Sequence, residues 1–269
     1  MNAATPDERP VAGCVRLTRE GGVAWLALDN PRKLNAISLP MWQALADALR
    51  HCEQDAAVRC IVIRGAGDKA FCSGADVAEK QGVAADQADA DDQLALATIR
   101  AIQDMDKPVI AMLSGYCLGA GMAIALACDI RVAAAGASFG IPAARLGLAY
   151  YFVQVKRLTE VVGAARARQM LYTADRYQAE RALEFGLVNE LVAGDELLPF
   201  VSGMAARIAG NAPLTIAAAK SAVAAAVGQT PQALIAACDA RVKTCLASAD
   251  YVEGRLAFRE KRAPVFQGR

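Results

Sequence analysis

A chain of 269 residues, 55% hydrophobic and 21% charged, is long enough to fill the core of one large domain or two small ones, which excludes disorder, collagen and coiled coil. Its 29 Lys and Arg against 28 Asp and Glu leave a net charge of +1, so no global field draws nucleic acid or an anionic membrane, and any anionic ligand must be held locally. The single histidine, His51, excludes His-rich zinc sites and paired-imidazole chemistry.

Met1 to Pro10 has no apolar stretch and carries two acids, Asp7 and Glu8, which argues against a secretory signal or transit peptide and reads as a loose tail of a cytoplasmic protein. Gly22 to Asp29 is strand-like and ends at Asn30-Pro31, and Met41 to Cys52 has helical spacing through Met41, Leu45, Leu49 and Cys52. Cys60 to Arg64 predicts a buried strand and Asp91 to Met105 a helix. Pro108 to Cys128 is uncharged over a length that raises a membrane span, but Gly115, Gly119 and Gly121 interrupt it. It reads as a buried strand over Val109 to Leu113, a tight turn and a buried helix over Ala120 to Cys128; Asp129 to Ala133 is again a strand. From Val155 onward nearly everything is predicted helical: 155–162, 164–172, 179–185, 196–209, 213–227, 231–247 and 251–262. The alternation predicts an α/β core with a largely parallel sheet, carrying a helical C-terminal layer. The eight cysteines form no C-x-x-C pair and several lie in apolar runs, so they read as reduced core residues. His51 reads as a partly exposed helix residue.

Two Gly-rich loops follow buried strands: Gly65 to Asp76, and Gly115 to Gly121. Small residues between a strand and a helix let backbone N–H groups face a cleft and hold a developing negative charge. Gly65-x-Gly67-x-x-Ala70 formally matches a dinucleotide fingerprint, but no helical spacing opens inside it, and neither loop ends in Gly-Lys-Ser/Thr.

Taken together, Ala70-Phe-Cys-Ser-Gly-Ala-Asp76, Lys107 to Ala111, Ser114-Gly-Tyr-Cys-Leu-Gly-Ala-Gly121 and Cys128-Asp-Ile-Arg131 resemble the crotonase (enoyl-CoA hydratase/isomerase) superfamily in order and spacing. Asn30-Pro-Arg-Lys-Leu-Asn35, Phe139 to Pro142, Ala182 to Val188 and Phe258 to Phe266 extend the resemblance over nearly the whole chain. It implies an α/β core over 12–200 wound as a crotonase (ClpP-like) spiral of ββα units, a helical C-terminal trimerisation region over 201–269, and a homotrimer or homohexamer. It also implies an acyl-CoA substrate, with coenzyme A brought as part of the thioester, no permanently bound cofactor, no metal, and neither nucleic acid nor membrane as partner.

By position, the family's two oxyanion-hole amides fall on Ala75 and Ala120. The segment along the coenzyme falls on Arg32, Lys33 and Leu34, with Ala75, Asp76 and Val77 beside it. Phe258 and Lys261 fall where the family reaches the adenine and its phosphate, often from a neighbouring subunit. Lys33 and Lys261 can equally be solvated surface charges, and Asp76 reads more readily as a helix cap than as a ligand.

The resemblance has two departures. The family's hydratase glutamates fall on Ala123 and Ala143, so a standard hydratase is not expected. What remains polar nearby is Arg145, Tyr150, Tyr151 and Gln154. Tyr150 matches a tyrosine of the family's methylmalonyl-CoA decarboxylase branch, and reads either as a catalytic weak acid or as a packing aromatic. Arg145 reads either as a ligand for a substrate carboxylate or as half of a structural ion pair. The acyl wall is placed on Val77 to Asp92, an Ala/Asp/Gln-rich stretch of weak periodicity. Decarboxylation, or another lyase or isomerase step through a thioester enolate, is the favoured chemistry. The alternative is a crotonase-like protein that binds acyl-CoA without turning it over.

Overall fold

A computed structural model of the protein describes residues 13–76, 85–211, 213–227, 243, 246–262 and 264. Val77, the helix expected over 231–247 apart from scattered positions, and the N-terminal tail lie outside the described residues.

Among the described residues, ten strands form two sheets. The larger holds β1 (Cys14–Glu20), β2 (Val23–Asp29), β3 (Cys60–Gly65), β5 (Val109–Leu113), β7 (Ile130–Ala134) and β10 (Glu190–Val192), in that spatial order. β1 and β2 are an antiparallel hairpin, and every later pair in this sheet is parallel. The smaller sheet holds β4 (Ala70–Cys72), β6 (Tyr116–Leu118), β8 (Ser138–Gly140) and β9 (Arg176–Gln178), with only the β8–β9 pair antiparallel. The chain therefore gives one strand to the larger sheet and the next to the smaller before entering a helix: β3 and β4 then α2 (Ala85–Asp104), β5 and β6 then α3 (Ala120–Ala127). This is the winding of ββα units that the resemblance implies.

The apolar runs are explained by burial of the larger sheet on both faces. Along β3, Ile61 and Ile63 join one core with α1 (Leu39–Gln54) and α3, while Cys60 and Val62 join a second core with α6 (Leu197–Gly210). β2 and β5 divide likewise, Leu26 and Ala111 to one side and Trp25 and Ile110 to the other. The Ser38 hydroxyl caps α1 by accepting from the Met41 N–H. The boundary drawn at residue 200 falls inside α6.

The second half is less purely helical than expected. Between α4 (Phe152–Thr173), α5 (Ala179–Glu184) and α6 it supplies β9 and β10, and β10 closes the larger sheet beside β7. Three-residue strands carry too few side chains to express a period of two. α2 starts at Ala85, so 85–92 of the expected acyl wall is helical. The two helices expected on either side of Gly163 run end to end as α4, with a non-helical kink at that glycine. α7 (Pro213–Ala226) and α8 (Ala249–Glu260) complete the described elements. His51 is exposed on α1 as expected and its ring nitrogen meets Arg19. Cys14, Cys52, Cys60, Cys72, Cys117 and Cys128 are free thiols, while Cys238 and Cys245 lie outside the described residues.

One buried side chain ties the first Gly-rich loop to the segment after β2. Asn35 is 1% exposed and sits at φ +56°, a left-handed conformation that asparagine tolerates better than most residues. Its Nδ2 donates to the carbonyls of Ala66 (3.0 Å) and Ala70 (2.7 Å), and its Oδ1 accepts from the Asn30 N–H (3.0 Å). Asn35→Ala strips three main-chain groups of these partners and is expected to cost about 2 kcal/mol of stability, measured by urea denaturation. A loss below about 0.5 kcal/mol would contradict this account of the tie.

Candidate active site

The first Gly-rich loop crosses the segment that follows the short 3-10 helix Pro31–Lys33. The Ile37 N–H donates to the Gly74 carbonyl (2.9 Å) and the Asp76 N–H donates to the Ile37 carbonyl (2.9 Å). In this parallel bridge between Ile37 and Ala75, residue 37 makes both bonds, so the N–H of Ala75 points to the opposite side of its strand. Nearby, the Ser73 N–H donates to the Leu34 carbonyl (3.1 Å) and its hydroxyl to the Lys33 carbonyl (3.0 Å). Lys33 Nζ meets Asp76 Oδ2 at 2.5 Å, the carboxylate buried and the ammonium half-exposed. The structure thus gathers Arg32, Lys33, Leu34, Ala75 and Asp76 into one patch.

The second loop ends where α3 begins. Gly119, at φ +51° and ψ −115°, is its N-cap, and the Gly119 N–H is taken by the Gly140 carbonyl (3.0 Å). Ala120 is the first residue inside the helix, and such N–H groups have no partner within their own helix. The helix dipole adds partial positive charge there. The two loops abut: a Cβ built on Gly119 would stand 3.6 Å from the Gly74 Cα, and one on Gly74 would stand 3.8 Å from the Leu118 carbonyl oxygen. Ala75 and Ala120 each follow directly on one of these touching glycines, and both are partly accessible.

Two positions where the resemblance would place glutamates are buried alanines, Ala123 at 3% and Ala143 at 7% exposure. The buried carboxylates among the described residues are Asp29 and Asp76, and each is ion-paired, Asp29 to Arg16 and Asp76 to Lys33. Tyr150, in the loop before α4, reaches back to donate its hydroxyl to the Gly119 carbonyl at 2.7 Å. Burial pushes the Tyr150 hydroxyl far above the usual tyrosine range, so it stays protonated. Burial likewise holds the thiols of Cys72 and Cys128 up at about 12, which keeps both uncharged near the loops.

Other candidates lie apart. Arg145 is exposed, with its guanidinium on Asp175 (3.0 Å) and, more weakly, the Thr173 carbonyl (3.4 Å), the ion-paired arrangement of its two readings. The Tyr151 hydroxyl donates to Asp92 (3.2 Å), and Gln154 accepts from the Tyr151 N–H to cap α4. Phe258 is 62% exposed on α8, and Lys261 closes that helix in a left-handed conformation. α8 packs on the 3-10 turn Pro142–Leu146, where Gly254 lies against the Leu146 carbonyl. Sequence reasoning passed over Asn35 and the Tyr150 bond to Gly119; only the left-handed tolerance of Asn in the loop after Pro31 offered a signal.

A family model described as Enoyl-CoA hydratase/isomerase matches residues 18–269. The chain belongs to this family. It is therefore a member of a family of acyl-CoA-processing enzymes, built on the crotonase fold. Among its relatives, the crotonyl-CoA hydratase of Syntrophomonas wolfei is 38% identical over 252 residues, covering 93% of this chain and 96% of that protein. Among solved structures, methylmalonyl-CoA decarboxylase in complex with 2-nitronate-propionyl-CoA superposes with a TM-score of 0.86 at 30% identity, over 95% of this chain and 99% of that one. A carnitinyl-CoA hydratase from Mycobacterium avium gives a TM-score of 0.83 at 34% identity, with 95% and 99% coverage. Among the described residues no helix is long and apolar enough to cross a membrane, and no group of three His, Cys, Asp or Glu could hold a metal ion.

Proposed function

We propose that this family member stabilises a thioester enolate between the N–H groups of Ala75 and Ala120, and that its reaction is not a standard hydration but loss of carbon dioxide from a malonyl-type CoA, or a related lyase or isomerase step. The observation that carries this reading is that the two positions on which the family's hydratase glutamates fall are buried alanines, Ala123 and Ala143. Hydration needs a base to activate water and an acid to protonate carbon, each contributing about 10²–10⁴ in rate. Decarboxylation needs neither at the bond-breaking step. The C–C bond breaks, carbon dioxide leaves, and the electron pair moves into the thioester to form an enolate whose oxygen the two amides hold. Water or a weak acid then delivers a proton to the α-carbon.

On this reading Arg32, Lys33 and Leu34 lie along the coenzyme, with Asp76 and Val77 beside the cup. Phe258 and Lys261 would reach the nucleotide from a neighbouring copy in a homotrimer or homohexamer. The exposed apolar side chains Leu214 and Val223 on α7 and Val252 on α8 support such an assembly. The likeness to methylmalonyl-CoA decarboxylase is in keeping with the same chemistry.

The test is a panel of malonyl-CoA, methylmalonyl-CoA, propionyl-CoA and crotonyl-CoA in D₂O, followed by NMR. Deuterium entering the α-carbon, with or without release of carbon dioxide, is expected, together with crotonyl-CoA hydration at least about 10²-fold below the fastest reaction. Crotonyl-CoA hydration as the fastest reaction would overturn the proposal in favour of a hydratase. Binding of every thioester with no exchange and no turnover would replace it with a non-catalytic acyl-CoA binder.

A further inference from the structure

The Gly119 carbonyl accepts two hydrogen bonds, from the Ala123 N–H at 3.1 Å and from the Tyr150 hydroxyl at 2.7 Å. That carbonyl and the Ala120 N–H are the two ends of a single planar, trans peptide unit. They therefore point in opposite directions: the carbonyl along α3, where Tyr150 meets it, and the N–H outward from the start of the helix. The phenol is thus placed behind the peptide relative to the group its N–H addresses, and its proton is committed to the carbonyl.

The local backbone gives this bond a task. Gly119 has no side chain to fix its rotation, it adopts φ +51° and ψ −115°, and a helix end frays more readily than a helix interior. One donor, the Ala123 N–H, comes from the same helical turn; the second comes from a residue 31 positions away in the chain. Hydrogen bonding at a peptide carbonyl also polarises the unit, strengthening what its N–H can donate.

We infer that Tyr150 is a positioning residue for the thioester oxygen: by holding the Gly119 carbonyl, it sets the tilt of the Gly119–Ala120 peptide and deepens the dipole of the Ala120 N–H. This rests on the reading of Ala75 and Ala120 as the oxyanion donors, and it assigns Tyr150 a place behind the cup instead of a proton-transfer role within it. Burial keeps the hydroxyl protonated through the working pH range, so the support is not lost on mild alkalinisation.

The experiment uses the full-length protein and 4-(dimethylamino)cinnamoyl-CoA, whose absorption band moves to the red as its thioester carbonyl is polarised. Wild type, Tyr150→Phe, Ala120→Pro and the double variant are compared at saturation. Tyr150→Phe is expected to retain the binding stoichiometry but lose roughly a third of the red shift, and to slow α-proton exchange of propionyl-CoA about 3- to 10-fold. Ala120→Pro loses more, and adding Tyr150→Phe to it changes nothing further, because the group through which Tyr150 acts is gone. The phenylalanine leaves the Gly119 carbonyl with its Ala123 donor, so no buried group is orphaned. Should that variant fail to fold, 2,3-difluorotyrosine at position 150, a stronger donor of the same shape, is expected to increase the red shift. An unchanged shift in whichever of these variants folds, or additive losses in the double variant, overturns the positioning role. Absence of any red shift in the wild type overturns the oxyanion reading itself.

Discussion

Ala120→Pro is expected to leave the protein folded and to lower turnover by about 10²–10³ without a matching rise in KM. Proline removes the N–H and nothing else that the position needs. Ala120 is the first residue of α3, in the turn where a missing donor breaks no intrahelical bond, and at the position where proline's fixed φ best suits the helix. The residue before a proline is normally driven from helical toward extended angles by contact with its own Cβ. Gly119 has no Cβ, and its φ +51° and ψ −115° are the mirror image of such an extended conformation. Thermal melting establishes that the variant folds, and steady-state kinetics on the best thioester of the panel then separates kcat from KM. A folded Ala120→Pro enzyme with wild-type kcat would remove Ala120 from the oxyanion cup.

Gly121→Ala carries a large expected loss of stability, about 3 kcal/mol or more. Intrinsic helix propensity favours the alanine by about 1 kcal/mol, so the predicted sign opposes the local preference. The cause is contact: a Cβ at 121 would lie 2.4 Å from the Cys72 carbonyl oxygen and 2.8 Å from the Cys72 Cβ. That oxygen is main chain of β4 and cannot swing aside as a long side chain would. Relief requires α3 to move away from β4, which separates the loops carrying Ala75 and Ala120. Gly67→Ala is the matched control. Gly67 lies in the other, first Gly-rich loop, at φ +72°, and an added Cβ there meets nothing within 4 Å. Its expected cost is about 1 kcal/mol, from backbone strain alone. Urea denaturation of the two variants side by side tests the argument; equal losses would show that contact with β4 is not what demands glycine at 121.

The strands buried on both faces were legible because every residue along them is apolar, as in Cys60 to Ile63 and Val109 to Leu113. The amphipathic α1 was legible from its spacing, which the buried set Met41, Leu45, Leu49 and Cys52 bears out. β4, β6 and β8 were not, since three residues beside glycines express no period. β9 and β10 lay hidden among strong helix formers, where pairing with β8 and β7 decides the conformation. At the candidate site, main-chain donors leave no mark in side-chain chemistry, so Ala75 and Ala120 were reachable only through the resemblance. Arg145 illustrates the opposite limit: the residue type suited a carboxylate, but Asp175, 30 positions further along, is the carboxylate it meets. Tyr150 was singled out for its hydroxyl, but which oxygen receives that proton depends on how the turn before α4 folds back over α3.

The touching pair Gly74 and Gly119 joins two successive windings of the chain at a point where neither offers a side chain. If the proposed cup is made at this junction, it is indifferent to most amino-acid exchange, and only an imino acid or a steric wedge can dismantle it. On the proposed reading, the choice of reaction is left to a few neighbouring positions, such as 123 and 143, which can be rewritten one at a time while the main-chain scaffold stays as it is.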